Sequence, residues 1–252
     1  MIHLEQSTSI AVLRLDHGRV SALDVELLAA LDEALAAVQR SAARALVLTG
    51  TGTSFSAGVD LFRLLDGGPE YVRRFLPLLD AALRRLFLFP RPVVAAINGH
   101  AIAGGCILAC AGDRRLLSEG KARLGVPELR VGVPFPVLAL EMVRFATDPR
   151  TLQDLIYGGA TFNAEEALRR GLVDEVVPGP ELLDRAVAAA ESLARIPPEA
   201  FALVKRQLRE PAMQRVERLA RVMDAQILAA WCSPEATQTI RAFLDATIGK
   251  RP

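Results

Sequence analysis

Three short stretches carry residues whose types and spacing would do chemistry together. Ala57-Gly58-Val59-Asp60 and Ala103-Gly104-Gly105-Cys106 each follow a strand-like run and place glycine among small residues. Glycine lets a ligand come close to the backbone. A helix start adds N–H groups with no intrahelical partner and the positive end of the helix dipole. Each stretch therefore offers a backbone N–H to negative charge, whether phosphate, carboxylate or transient oxyanion. Two converging N–H groups make an oxyanion hole, often the largest single contribution to catalysis through an enolate or tetrahedral oxyanion. Such a site needs an acid or base nearby, and Glu128, in a third loop of the same kind, is the natural candidate. For Gly104-Gly105 taken alone, close packing of a buried helix on a sheet explains the small residues equally well.

Other chemistries fit less well. Gly50-Thr51-Gly52 invites a dinucleotide fingerprint, but Phe55 stands where the third glycine belongs, and no helix is expected to start there. Neither GxxxxGK[ST] nor GxSxG occurs. The three cysteines, Cys106, Cys110 and Cys232, form no CxxC pair, which argues against a disulfide framework or a zinc site. Cys106 and Cys110 share a helix face and read as small core residues. His100 suits loop packing or the surface better than a base. Ser56 has no evident His/Asp arrangement, Asp60 is expected to order its loop, and Asp113 to pair or cap near the core. No metal and no separate cofactor is expected.

The elements that position these residues follow from patterning. Ile10–Leu15 and Ala45–Thr49 are apolar strand runs, with a helix between them that Asp24 can cap and that runs to about Gln39. Strand–helix–strand at this spacing implies a crossover and partly parallel pairing. A helix is expected over Glu70–Phe89, ended by Pro90 and Pro92, and a strand over Pro92–Ile97 feeds the Gly104 stretch. From Glu181 to near Ile248 the pattern is helical, with breaks expected at Pro197-Pro198, Pro211 and Pro234. The chain thus divides into an α/β body over residues 1–195 and a helical region over 196–252.

The 252 residues suffice to bury a sizeable core. With 51% hydrophobic and 23% charged residues the chain reads as globular. A net charge of +1 with one Trp and two Tyr favours neither nucleic acid nor an anionic membrane. The opening Met1–Leu4 leads into a strand-like run and not a signal-peptide pattern, so a cytoplasmic location is expected.

With these residues in place, the sequence resembles the enoyl-CoA hydratase/isomerase (crotonase) superfamily. The resemblance rests on Phe55–Leu61, on Ala96–Cys106 with Asp113, on Leu124–Glu128 and on Gly132-Val133-Pro134. Asn163–Ala167, Gly171–Asp174 and Phe243–Lys250 continue it along nearly the whole chain. It implies an α/β fold with a crotonase-like ββα spiral core and a C-terminal helical trimerisation region that covers the active site. It also implies a trimer or dimer of trimers, and an acyl-CoA thioester substrate that brings coenzyme A with it. The thioester oxygen would sit between the N–H groups of Val59 and Gly104. Ala57, Gly58, Asp60, Leu61, Ile107, Pro127 and Phe135 would surround the substrate, with Phe62 and Leu65 as further candidates for the acyl pocket. Phe243 and Lys250 would reach a coenzyme A from a neighbouring subunit, although a solvated charge near the chain end accounts for Lys250 equally well.

Hydratases of this family carry two glutamates. One matches Glu128; at the other position, three residues after Gly104, stands Ile107. A single carboxylate suffices for a 1,3-proton shift, and the family's Δ3,Δ2-enoyl-CoA isomerases are similar in placing an apolar residue there. Double-bond migration by Glu128 is the expected activity. The alternatives are a hydratase or lyase that takes an acid from elsewhere, and a catalytically weak acyl-CoA-binding protein.

Overall fold

The computed structural model describes residues 1–7 and 9–247. β1 (Ile2–Gln6) and β2 (Ile10–Leu15) form an antiparallel hairpin with Ile2 opposite Leu15. α1 (Val25–Arg40) follows, its start fixed by the Asp24 carboxylate, which accepts from Leu27 N–H at 2.7 Å. Leu27, Leu28, Leu31, Leu35 and Val38 recur at helical spacing and form its buried face. β3 (Ala45–Thr49) is buried at every residue, as expected of a parallel strand covered on both faces.

From β3 the chain repeats one pattern. β4 (Ser54–Ser56) and α2 (Leu61–Phe87) complete the first turn. β5 (Val93–Ile97), β6 (His100–Ile102) and α3 (Gly104–Cys110) make the second. β7 (Arg114–Ser118), β8 (Leu124–Gly125) and α4 (Glu128–Val131) make the third. In each turn the first strand joins a large sheet, parallel to its predecessor: Val47 lies opposite Val94, and Ala96 opposite Leu116. The second strand joins a small sheet, where β6 pairs parallel with both β4 and β8. These are the ββα turns of the spiral core that the resemblance implies.

The remaining elements close the body. α5 (Val137–Ala146) and α6 (Pro149–Ile156) precede β9 (Thr161–Phe162), which adds to the small sheet antiparallel to β8. α7 (Ala164–Arg169), capped by Asn163, leads to β10 (Glu175–Val177), which adds to the large sheet parallel to β7. The large sheet has the order β1-β2-β3-β5-β7-β10 and the small one β4-β6-β8-β9. α8 (Leu182–Ala194) covers one face of the large sheet, packing Leu182, Ala186 and Ala190 on Val47, Val94 and Leu116. Leu13, Leu28, Phe75, Leu83, Phe87 and Ile97 are buried in the core on its other side, each such side chain contributing about 1.5–3 kcal/mol by burial. α9 (Pro198–Trp231) and α10 (Pro234–Thr247) form the C-terminal helical region.

Two local expectations change. A helix does begin just beyond the Gly50–Gly58 stretch: Asp60 caps α2 by accepting from Arg63 N–H at 3.0 Å. Gly68, at φ 56°, ψ −154°, then breaks its regular winding ahead of Pro69, which hid the first turns from a periodicity argument. Pro211 does not end a helix but sits inside α9. It lies on the exposed side, so the carbonyl that its missing N–H leaves free is not sealed in the core.

α9 is tied to the body by an ion cluster. The Asp113 carboxylate accepts from Lys205 Nζ at 2.6 Å, from Arg209 Nη2 at 2.7 Å and from Val93 N–H at 2.8 Å. Asp113 thus pairs, as expected, though with partners from α9 and not with the adjacent arginines. Among the described residues no helix is long and apolar enough to cross a membrane.

Candidate active site

The Val59 loop is held from both ends. Leu23 N–H donates to Gly58 O at 2.7 Å, and Asp60 N–H donates to Leu23 O at 3.0 Å. Ser56, fully buried, donates its hydroxyl to Ser21 O at 2.7 Å and accepts from Gly58 N–H at 3.2 Å, so its role is to shape this loop. Gly58 adopts φ +82°, a conformation that suits glycine.

The Gly104 loop lies against it. Gly105 packs so tightly that a Cβ there would meet Ser56 O at 2.2 Å. Ala103, just before α3, holds φ 52°, ψ −126°, a strained conformation for a residue with a side chain, costing on the order of 1–3 kcal/mol. Its N–H donates to Gly125 O at 2.8 Å, which pins it to the third turn of the spiral. Neither Val59 N–H nor Gly104 N–H meets an acceptor among the described residues.

Glu128 opens α4 directly after Pro127, and Gly132, in the left-handed region, ends that helix. The carboxyl is buried, and its Oε2 has no hydrogen-bond partner. Burial pushes its pKa up to about 8, against a smaller lowering by its own backbone N–H. It faces a cavity of about 70 Å³ lined by Ala57, Val59, Leu61, Ile102, Ala103, Pro127, Glu128, Val131, Val133, Trp231 and Phe243. Glu128 is the one charged residue on this wall. Larger clefts of about 310–340 Å³ lie near Lys205 and near Asp224, but they contain neither glycine loop.

Of the residues singled out in the sequence, Ala57, Val59, Leu61, Pro127, Glu128 and Phe243 line this cavity. Gly58 and Gly104 stand directly behind its wall, against each other. Asp60 caps α2. Ile107 and Phe135 are buried in the core and do not line the cavity; Phe62 and Leu65 pack partly buried against that core. Phe243 lines the cavity of its own chain. Lys250 lies outside the described residues.

Ile102, Ala103, Val131, Val133 and Trp231 were not picked out as lining residues. A signal existed for Trp231: it is the chain's single tryptophan, placed just before the break at Pro234. The discounted nucleophiles and bases have structural partners. His100 Nδ1 accepts from Arg123 N–H at 3.2 Å. The neighbouring Cys110 thiol, and burial, push Cys106 well above the ordinary thiol range. Among the described residues no group of three or more His, Cys, Asp or Glu could hold a metal ion.

Repeated ββα turns whose loops converge on one buried carboxyl define a spiral α/β protein with a single ionisable group in an apolar cavity. The chain belongs to the enoyl-CoA hydratase/isomerase family, whose sequence model matches residues 5–247. It is 34% identical to a putative enoyl-CoA hydratase of Thermus thermophilus, over 100% of this chain and 99% of that protein. Its fold matches that of a Mycobacterium tuberculosis protein described in one structure as a probable enoyl-CoA hydratase and in another as an enoyl-CoA isomerase. Those matches have 31% identity and TM-scores of 0.85 and 0.82, covering 91% and 89% of this chain and 97% and 98% of theirs. The human mitochondrial Δ3,Δ2-enoyl-CoA isomerase matches with a TM-score of 0.93 at 25% identity, covering 100% of this chain and 99% of that one.

Proposed function

We propose that this protein is a Δ3,Δ2-enoyl-CoA isomerase. The observation that carries the reading is Glu128, a lone carboxylate in an apolar wall with one oxygen unpartnered. Glu128 as carboxylate removes the C2 proton of a 3-enoyl thioester. The electron pair moves into the C1–C2 bond and onto the thioester oxygen, giving a dienolate held by the Val59 and Gly104 N–H groups. Glu128 then returns the proton at C4, and the double bond ends between C2 and C3. A buried carboxyl of near-neutral proton affinity suits both halves, because it must accept and then release the same proton. Loss of one such donor costs about 2.7–4 kcal/mol in other enzymes, so the backbone geometry matters on that scale. Ile107, apolar and buried in α3, leaves no second carboxylate at its position to activate a water.

The test is the rate of 3-enoyl-CoA conversion to 2-enoyl-CoA by wild type and Glu128→Gln. A fall of about 10²–10⁴-fold is expected; an unchanged rate sinks the mechanism. A hydratase reading is favoured by the Thermus thermophilus relative, described as a putative hydratase. Hydration of crotonyl-CoA at a rate near isomerisation would select it.

Residues 1–195 would then act as the spiral core and 196–252 as the cover of the site, in a cytoplasmic homotrimer or dimer of trimers. Exposed Leu203, Val204, Leu208 and Val222 on α9 support an assembly surface there. Sedimentation at equilibrium tests the stoichiometry.

A further inference from the structure

The cavity has an open side and a closed one. Leu61, Ile102 and Phe243 on its wall are partly exposed, whereas Glu128, Val131, Val133 and Trp231 are buried. Trp231 ends α9 and is 4% exposed. Its indole Nε1–H donates to Pro134 O at 2.8 Å, in the loop that also supplies Val133. A buried indole satisfied in this way has its orientation set by that hydrogen bond and by packing. The closed side is thus made by a rigid ring from the C-terminal region and two valines from the third turn of the spiral.

The size of the space follows. An apolar cavity of about 150 Å³ accommodates benzene, so about 70 Å³ leaves room for roughly three carbons. We propose that Trp231, locked to Pro134, is the back wall of the acyl subsite and restricts this protein to short chains, about four carbons counted from and including the thioester carbon. The proposal rests on the acyl-thioester reading of the site but not on which reaction Glu128 performs.

Without a wall, each further buried methylene would strengthen binding about fourfold. With one, affinity stops rising and falls once the chain meets the indole. Calorimetric titration of the full chain with butanoyl-, octanoyl- and dodecanoyl-CoA separates the two, and these saturated thioesters cannot isomerise. Wild type is expected to bind butanoyl-CoA at least about tenfold more tightly than the longer two. Trp231→Ala should move the octanoyl-to-butanoyl affinity ratio by at least about tenfold toward octanoyl. Trp231→Leu, which keeps an apolar filler, should move it in the same direction by less, and it carries the test if the alanine variant does not fold. Affinity that climbs steadily with chain length in wild type overturns the proposal, as does a folded Trp231 variant with an unmoved ratio. Tight long-chain binding together with intact isomerisation strikes only this proposal. Short-chain binding without double-bond migration strikes only the isomerase reading. Failure of every acyl-CoA to bind overturns both.

Discussion

Gly58 sits so close to Gly104 that a Cβ built on it would lie 3.0 Å from the Gly104 nitrogen and 2.6 Å from Ile102 O. The two glycine loops are therefore in contact, and the bare Cα of Gly58 sets the separation of their N–H groups. A side chain there would also be strained by φ +82°. Gly58→Ala should push the loops apart and misalign at least one donor. The expected loss is about 10²–10³-fold in kcat, with a stability cost on the order of 1–3 kcal/mol. Turnover and thermal melting of the same sample separate the two effects. Wild-type kcat in a folded Gly58→Ala would remove this contact from the mechanism.

The raised proton affinity of Glu128 has two readable consequences. The proposed mechanism needs it ionised as a base, so kcat/KM for isomerisation should climb with pH and level off above about 8. Its effect on stability runs the other way. Between about 4.5, the ordinary value, and about 8, the unfolded chain has lost this proton while the folded chain retains it. Stability from this group is therefore fully present below about 4.5 and is lost as pH rises through about 8. The slope is at most about 1.4 kcal/mol per pH unit. Glu128→Gln should flatten that part of the stability profile in denaturant titrations, and a variant with the wild-type slope would show that the carboxyl ionises freely in the fold.

Ile107 offers the converse experiment. It lies one turn into α3 from Gly104 and is 3% exposed. Ile107→Glu supplies the second carboxylate that the family's hydratases carry. Crotonyl-CoA hydration should rise by at least about tenfold, while stability falls by about 1–3 kcal/mol from burying a polar group among apolar ones. No gain, in an enzyme that already hydrates well, would favour a hydratase with an acid from elsewhere.

How much of this was legible in the sequence depended on whether the signal was local. Asp24 and Asn163 announced their helices because a capping side chain bonds the backbone a few residues away. Glu128 stood out through the short Leu124–Glu128 motif, although that motif did not announce the helix it opens. Trp231 was not, since its approach depends on α9 folding back over a loop 97 residues earlier. The start of α2 was obscured by Gly67-Gly68-Pro69, which interrupts the apolar period. Pro211 misled because a proline's cost in a helix depends on whether the freed carbonyl faces solvent, which sequence does not state.

The cluster that holds the C-terminal region in place makes a last test. Asp113 is one carboxylate serving two buried cations, Lys205 and Arg209, which come from one face of α9. Arg209 also stacks over the Phe87 ring at 4.4 Å, so its guanidinium keeps a second attraction. Lys205 likewise donates to Arg91 O at 3.0 Å and lies 5.7 Å from the Phe201 ring centroid, yet burial pulls its pKa down to about 8, although Asp113 opposes the shift. Asp113→Asn leaves both charges buried with a neutral amide, and should cost about 3–5 kcal/mol. Lys205→Met in the same chain removes one of the stranded charges and should recover part of that loss, which a simple packing defect at residue 113 would not allow. The pH dependence checks the assignment. Between about 8 and 10.5 the unfolded chain keeps the Lys205 proton that the folded chain releases, so stability from this group is fully present above about 10.5 and is lost as pH falls through about 8. Lys205→Met should abolish that slope. Because α9 ends in Trp231, any loosening at Asp113 should also relax the acyl-chain limit, and an Asp113→Asn variant that melts lower but keeps the wild-type octanoyl-to-butanoyl ratio would show that the two ends of α9 move independently.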